Sequence, residues 1–175
     1  FPHVPREIDP GCRISTKASI AEWGVKICRD VVIEDFVVIH PGTEIGTGCV
    51  IRSGSILGSV GFQVSNSGGS RPRILAHTGG VRLGDGVEIH CSVTVDRGFL
   101  GAITAIGEDS KIDSHAHISH CARIGQRCRI AAGAVVCGST SLGDEVWIGP
   151  RALVSNGLRI GTGANVPLAE TVTRD

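Results

Sequence analysis

Ile106-Gly107-Glu108-Asp109-Ser110-Lys111-Ile112 decides the fold: an aliphatic residue, a glycine, a polar corner and a small residue come before the next aliphatic, six positions on. The beat continues through Ile118, Ile124, Ile130, Val136, Leu142, Ile148, Val154, Ile160 and Val166. A small or β-branched residue follows most of these four positions later, as at Ser110, Ala116, Ala122, Cys128, Ala134, Thr140, Val146 and Ala152. Upstream, the same rhythm holds at Ile8, Ile14 and Ile20, slips by one residue to Ile27, and resumes through Ile33, Ile39, Ile45, Ile51 and Leu57. A period of six fits neither a helix of 3.6 residues per turn nor a simple strand alternating at period 2. It fits a solenoid of short strands and corners, with the aliphatic of each hexad pointing into a narrow core. Three hexads per coil (3 × 6 = 18 residues) give roughly seven to eight coils stacked at the ~4.8 Å strand spacing.

Composition points the same way. The sequence carries 25 Gly and 41% hydrophobic residues but only 3% aromatics, with no Met and no Tyr, as a core too thin for large rings requires. One solenoid over residues 1–175 is expected to be one domain. A formal net charge of zero argues against nucleic-acid binding, which leaves a basic footprint. No apolar run approaches the 18 residues of a membrane span, and no charged-then-apolar leader is visible. A chain opening on Phe1 rather than Met is expected to be a fragment or a processed product.

Seven cysteines raise the question of a disulfide framework or a metal knuckle. The count is odd and no Cys-x-x-Cys occurs. Cys12, Cys49 and Cys128 fall at the small inward position, where cysteine serves as a compact hydrophobe. No metal site is expected, and a reducing, cytoplasmic compartment is.

The rhythm breaks twice. A long loop, Gly58 to Arg82, contains Gly61-Phe62 and Gly79-Gly80; a shorter insertion occupies residues 98–105, behind Asp96-Arg97. Long irregular segments in a compact fold are usually functional or disordered, so the loop is expected to shape a site or a subunit contact. Histidines supply the candidate chemistry, four of the seven lying between His90 and His120. His115, His117 and His120 stand at different points round the coil and are not expected to converge. His120 is the most telling, because Gly138 follows it by one coil (138 − 120 = 18). A corner imidazole beneath a glycine N–H combines a base with an oxyanion donor; an ordinary surface hydrogen bond is the other reading. Arg123, Ser141 and Arg159, spaced by 18, form one column that suits donor phosphates or a solvated face alike. Arg129 and Trp147, also 18 apart, are expected to stack.

Several segments together resemble a known family: Gly58-Ser59-Val60-Gly61-Phe62, Val87-Glu88-Ile89, Val95-Asp96-Arg97-Gly98-Phe99-Leu100-Gly101, Lys111-Ile112-Asp113 and Ile118-Ser119-His120. Their order and spacing are similar to those of the UDP-3-O-acylglucosamine N-acyltransferases of lipid A synthesis, within the hexapeptide-repeat acyltransferase superfamily. The resemblance implies a left-handed parallel β-helix assembled as a homotrimer, with active sites between subunits. It implies His120 as general base and Gly138 as oxyanion donor, with an acyl carrier protein or coenzyme A thioester as co-substrate and no bound cofactor. Asp96, Asp113, His115 and Phe62 become candidates on the acceptor side, Arg123 and Arg159 on the donor side. The sequence departs from the family at Cys121, where Asn usually follows the base, at Gly157, where a second histidine is expected, and at Val60, where an acidic residue is common. The family's N-terminal uridine-recognising domain and its C-terminal helical extension are not matched. The residues leave other readings open: an acetyl-coenzyme A-dependent enzyme on another amino sugar, a γ-class carbonic anhydrase-like zinc trimer, or a non-catalytic scaffold.

Overall fold

The fold, a computed structural model, describes residues 4–65 and 71–174. Strands of two to four residues stack in parallel into three eight-stranded sheets, so eight coils build a three-sided prism. The first face runs from Glu7–Ile8 to Arg159–Ile160, the second from Arg13–Ile14 to Asn165–Val166, and the third from Ser19–Ile20 to Thr171–Val172. The described residues contain no helix, and hence none that could cross a membrane.

The hexad rule accounts for the core. Ile33, Ile39, Ile51, Ile89, Ile112, Ile118, Ile130 and Ile148 are all sealed from solvent, and each sits on its counterpart in the neighbouring coil, as Ile112 does on Ile130. Stacked aliphatic side chains fill the prism axis, as the close packing of protein interiors requires. The small inward residues lie between them, with Ala122, Cys128, Ala134 and Ala152 wholly buried. Cys49 and Cys128 occupy this position as expected, each thiol donating to a carbonyl of another coil, Gly84 and Gly143 respectively. Burial pushes the Cys49 thiol up to about 11, leaving it an inert packing group.

Register shows where each irregularity is absorbed. Ile20 pairs with Ile39, 19 residues on, whereas Val25 pairs with Thr43, 18 on; the extra residue lies between Ile20 and Val25. The long loop makes Ile45 pair with Leu83 (83 − 45 = 38, or 18 + 20). The shorter insertion makes Leu83 pair with Ile106 (106 − 83 = 23, or 18 + 5). Strands reach further into both excursions than periodicity alone suggests. Ile56–Ser59 and Gly80–Leu83 claim both ends of the segment drawn as a loop from Gly58 to Arg82, and Ile103–Ile106 claims the end of the insertion drawn over 98–105. The reason is that the ladder offers backbone partners even where the side-chain pattern has lapsed. Within the long loop, Val64–Ser65 and Arg73–Ile74 pair antiparallel; residues 66–70 lie outside the described residues.

Candidate active site

Both excursions leave the prism at one corner and fold onto each other. Gly79 N–H donates to the Gly98 carbonyl at 2.9 Å, Gly80 N–H to Ala102, and Gly98 N–H back to Gly80. The approach is close enough that a Cβ on Gly79 would sit 1.8 Å from the Ala102 oxygen, so only glycine fits there. Arg97 Nε holds the near end of the loop by donating to the Gly58 carbonyl at 2.7 Å. These contacts lay His77 of the loop and Phe99 of the insertion against the corner that carries His120.

His120 follows the strand His117–Ile118 at the corner between the third and first faces. The chain turns there because Cys121 adopts φ 62°, a left-handed conformation that favours glycine or asparagine. Two bonds help to hold it: the Thr104 hydroxyl accepts from the Cys121 N–H at 2.8 Å, and the Cys121 sulfur accepts from the Phe99 N–H at 3.1 Å. One coil on, Ser139 N–H donates to the His120 carbonyl at 3.0 Å, which sets Gly138 against the imidazole. A Cβ on Gly138 would lie 2.7 Å from His120 Cε1 and 2.9 Å from Nε2. The ring therefore rests flush on bare backbone, as the 18-residue spacing leads one to expect. Among the described residues, no acceptor takes the Gly138 N–H.

A cleft of about 410 Å³ opens at this point, lined by Phe62, Gln63, His117, Ser119, His120, Val135, Cys137, Gly138, Ser139, Asn156 and Gly157. Phe62, from the long loop, stands 83% exposed at its edge. On the protein side of His120 lies Asp96, only 4% exposed. Its Oδ1 accepts from the Ser59 hydroxyl at 2.7 Å and its Oδ2 lies 3.5 Å from His117 Nε2. His77 is 5% exposed and meets His120 edge-on at 5.2 Å between ring centroids, with Phe99 on another side at 5.3 Å. Gly61 threads between them: a Cβ there would sit 3.0 Å from both His77 Nε2 and His120 Cδ2, and 3.2 Å from Asp96 Oδ2.

Electrostatics keep His120 neutral. Burial lowers its pKa first, the neighbouring His77 and His117 lower it further, and Asp96 opposes them. The Cys137 thiol in the cleft is pushed up by burial, which argues against it as a nucleophile.

The structure thus gathers His120, Gly138, Asp96 and Phe62. His117 joins them, although sequence spacing does not suggest that it converges with His120. It does not gather Asp113 and His115 within one chain. Both lie near the corner between the second and third faces, where Asp113 is 3.7 Å from His90 and His115 is solvent-exposed. Asp113 lines a different hollow, with Lys111, Arg129 and Trp147. There Arg129 does stack on Trp147, at 5.3 Å. Arg123, Ser141 and Arg159 form the expected column on the first face. His115 and His120 leave separate corners and cannot share an ion within one chain. Among the described residues, no group of three or more His, Cys, Asp or Glu side chains is arranged to hold a metal ion.

Sequence reasoning misses His77 altogether. The residue lies outside the hexads, so no periodicity assigns it a direction. The available signal is indirect: glycines at Gly61 and Gly79 bracket it and permit close backbone approach.

Comparison with known proteins agrees with this architecture. The bacterial transferase hexapeptide (six repeats) model matches residues 24–59 and 104–138. A UDP-3-O-acylglucosamine N-acyltransferase of Shewanella denitrificans is 38% identical over 132 residues, 75% of this chain and 38% of that protein. One of Caulobacter sp. is 41% identical over 129 residues, 73% of this chain and 37% of that protein. The chain thus spans well under half the length of these curated relatives. Among solved structures, the UDP-N-acetylglucosamine O-acyltransferase of Moraxella catarrhalis superposes with TM-score 0.76 at 23% identity, covering 100% of this chain and 67% of that one. A UDP-N-acetylglucosamine acyltransferase of Campylobacter jejuni gives 0.69 at 22% identity, covering 97% and 68%. At that identity these neighbours speak to fold alone. The chain thus carries hexapeptide repeats and the left-handed parallel β-helix fold, and across three quarters of its length it is similar to the UDP-3-O-acylglucosamine N-acyltransferases.

Proposed function

We propose that the chain is the β-helical part of an N-acyltransferase that moves an acyl group from a thioester to the amine of a nucleotide-linked amino sugar. The observation that carries this is the His120 imidazole lying flush against Gly138, at a cleft, with its pKa lowered so that it is neutral and basic near pH 7. The relatives named as N-acyltransferases supply the reaction class.

The chemistry is economical. An amine is already a nucleophile once neutral, so the site has to position it, accept one proton and stabilise one oxyanion. The amine nitrogen attacks the thioester carbonyl carbon while His120 Nε2 takes an amine proton. The Gly138 N–H donates to the oxygen as it gains charge. Collapse of the tetrahedral species breaks the carbon–sulfur bond; the thiolate leaves with the proton from His120, and an amide remains. Asp96 steadies His117 beside the base, and Phe62 offers a face for the acceptor. The Arg123–Arg159 column, on the face adjoining the His120 corner, suits the phosphates of coenzyme A or the acidic surface of an acyl carrier protein. Asp113 and His115 reach such a site only from a neighbouring copy, as in a homotrimer whose sites lie between subunits.

The test is thioester consumption across a panel of amino-sugar nucleotides, with coenzyme A and carrier-protein donors. His120→Ala is expected to lower kcat by roughly 10²–10⁴-fold, the usual worth of general base catalysis. Equal turnover by variant and wild type removes His120 from the mechanism, whereas no thioester consumption by either favours a scaffold.

A further inference from the structure

We propose that His77 positions His120: its Nε2 accepts a hydrogen bond from His120 Nδ1–H, fixing the tautomer in which His120 Nε2 presents its lone pair to the cleft. The proposal rests on His120 being the base and adds the group that orients it.

Two buried side-chain nitrogens in the described structure have no hydrogen-bond partner, and they are His77 Nε2 and His120 Nδ1. Buried polar atoms in folded proteins are almost always paired, so two orphans on rings in contact call for a joint explanation. The rings already meet edge-on, at 5.2 Å between centroids and 67° between planes. The His120 atom on the Gly61 side, where His77 Nε2 also lies, is Cδ2. The terminal torsion of histidine is broad, so turning His120 half round puts Nδ1 in that place without moving the backbone, while His77 keeps its contact with Leu75.

The direction of the bond follows from the other end of His77. Its Nδ1 lies 2.9 Å from the Leu75 carbonyl oxygen, which can only accept. Nδ1 therefore carries the proton, and Nε2 of the neutral ring is an acceptor. An acceptor facing His120 Nδ1 requires the proton on that nitrogen, which leaves Nε2 of His120 free to take one. A base oriented by a third group is the general logic of such sites.

The other side chains already placed around this corner are engaged elsewhere or unsuited. Asp96, on the strand Thr94–Asp96, has its oxygens turned to Ser59 and His117. His117, on the strand preceding His120, faces Asp96. Cys137, from the next coil, is a poor acceptor while protonated. Phe99 closes another side of His77 and offers no polar atom. The long loop thus does more than border the cleft: through His77 it sets the protonation geometry of the base.

The experiment combines imidazole nitrogen NMR on the intact chain with steady-state kinetics. At pH above neutrality, wild-type His120 is expected to be protonated at Nδ1; His77→Ala is expected to release it into a tautomer mixture. The same variant should lose roughly tenfold or more in kcat, with KM for both substrates within about twofold. His77→Gln, whose side-chain carbonyl can accept the same proton, should recover most of the rate and the tautomer. A wild-type His120 carrying its proton on Nε2 overturns the proposal, as does a His77→Ala variant with unchanged tautomer and kcat. If His77→Ala does not fold, the wild-type spectrum and His77→Gln still decide. Full turnover by His120→Ala would defeat the catalytic reading, whereas the spectrum would continue to report on the contact itself.

Discussion

Gly138 leaves no room for a side chain, because the His120 ring occupies the space a Cβ would need. A methyl group 2.7 Å from Cε1 has to push the ring away. Gly138→Ala is therefore expected to lower turnover by roughly 10²-fold, in keeping with the sensitivity of catalysis to small misplacements, while the urea midpoint moves little because the cleft side is open. Circular dichroism melts beside kinetics separate the two effects, and a variant with wild-type kcat would remove Gly138 from the site. His120 also makes a statement about pH. Its folded pKa lies below the usual 6.5, as does that of half-buried His40, which desolvation and Arg97 both lower. As pH falls below about 6.5 the unfolded chain binds these protons first, so stability present at neutral pH declines as pH drops towards the lowered folded values. Urea titrations from neutral pH to about pH 5 should show the midpoint falling, less steeply in His120→Ala. The acid limb of kcat/KM should also lie below 6.5.

At the scale of the coil, stability comes from repetition in register. Gly107, Gly125 and Gly143 stack at one corner so tightly that a Cβ on Gly125 would come within 2.4 Å of the Gly143 oxygen. Here the obstacle is backbone, which cannot swing aside as a side chain can. Gly125→Ala is expected to destabilise by about 1–3 kcal/mol, the usual range for overpacking. Ile130→Ala removes one member of a stacked core column, sealed at 1% exposure, and should destabilise by about 2–5 kcal/mol. Because each coil touches only its neighbours, both losses should appear in denaturant unfolding as local weakening of the array as well as a lower midpoint. A wild-type melt from Ile130→Ala would contradict the buried column.

On the scale of the whole molecule, the excursions leave Val60, Phe62, Ile74 and Leu100 exposed, at 54%, 83%, 52% and 78%. Apolar surface gathered on two touching insertions is what a contact between copies requires. A homotrimer would cover part of it and bring Asp113 and His115 of one copy towards the His120 corner of another. Light scattering coupled to size-exclusion chromatography is expected to report three times the chain mass; a stable monomer at working concentration would leave those two residues without a role in the site.

Much of this molecule is legible in the order of its residues. A period of six, the choice of inward small residues and the 18-residue interval joining His120 to Gly138, Arg123 to Ser141, and Arg129 to Trp147 all follow from one geometric rule. A solenoid converts separation along the chain directly into position in space, so registered residues announce their neighbours. His77 obeys no register. Its place against His120 depends on two excursions of different length meeting through Gly79 and Gly98, an outcome of packing with no local code. The same holds for Asp96 and His117, whose pairing needs the bulge that lets Asp96 face Ser59. Periodic backbone pairing made the scaffold readable from sequence; the close fit of irregular segments, which only the tertiary structure decides, built the surroundings of His120.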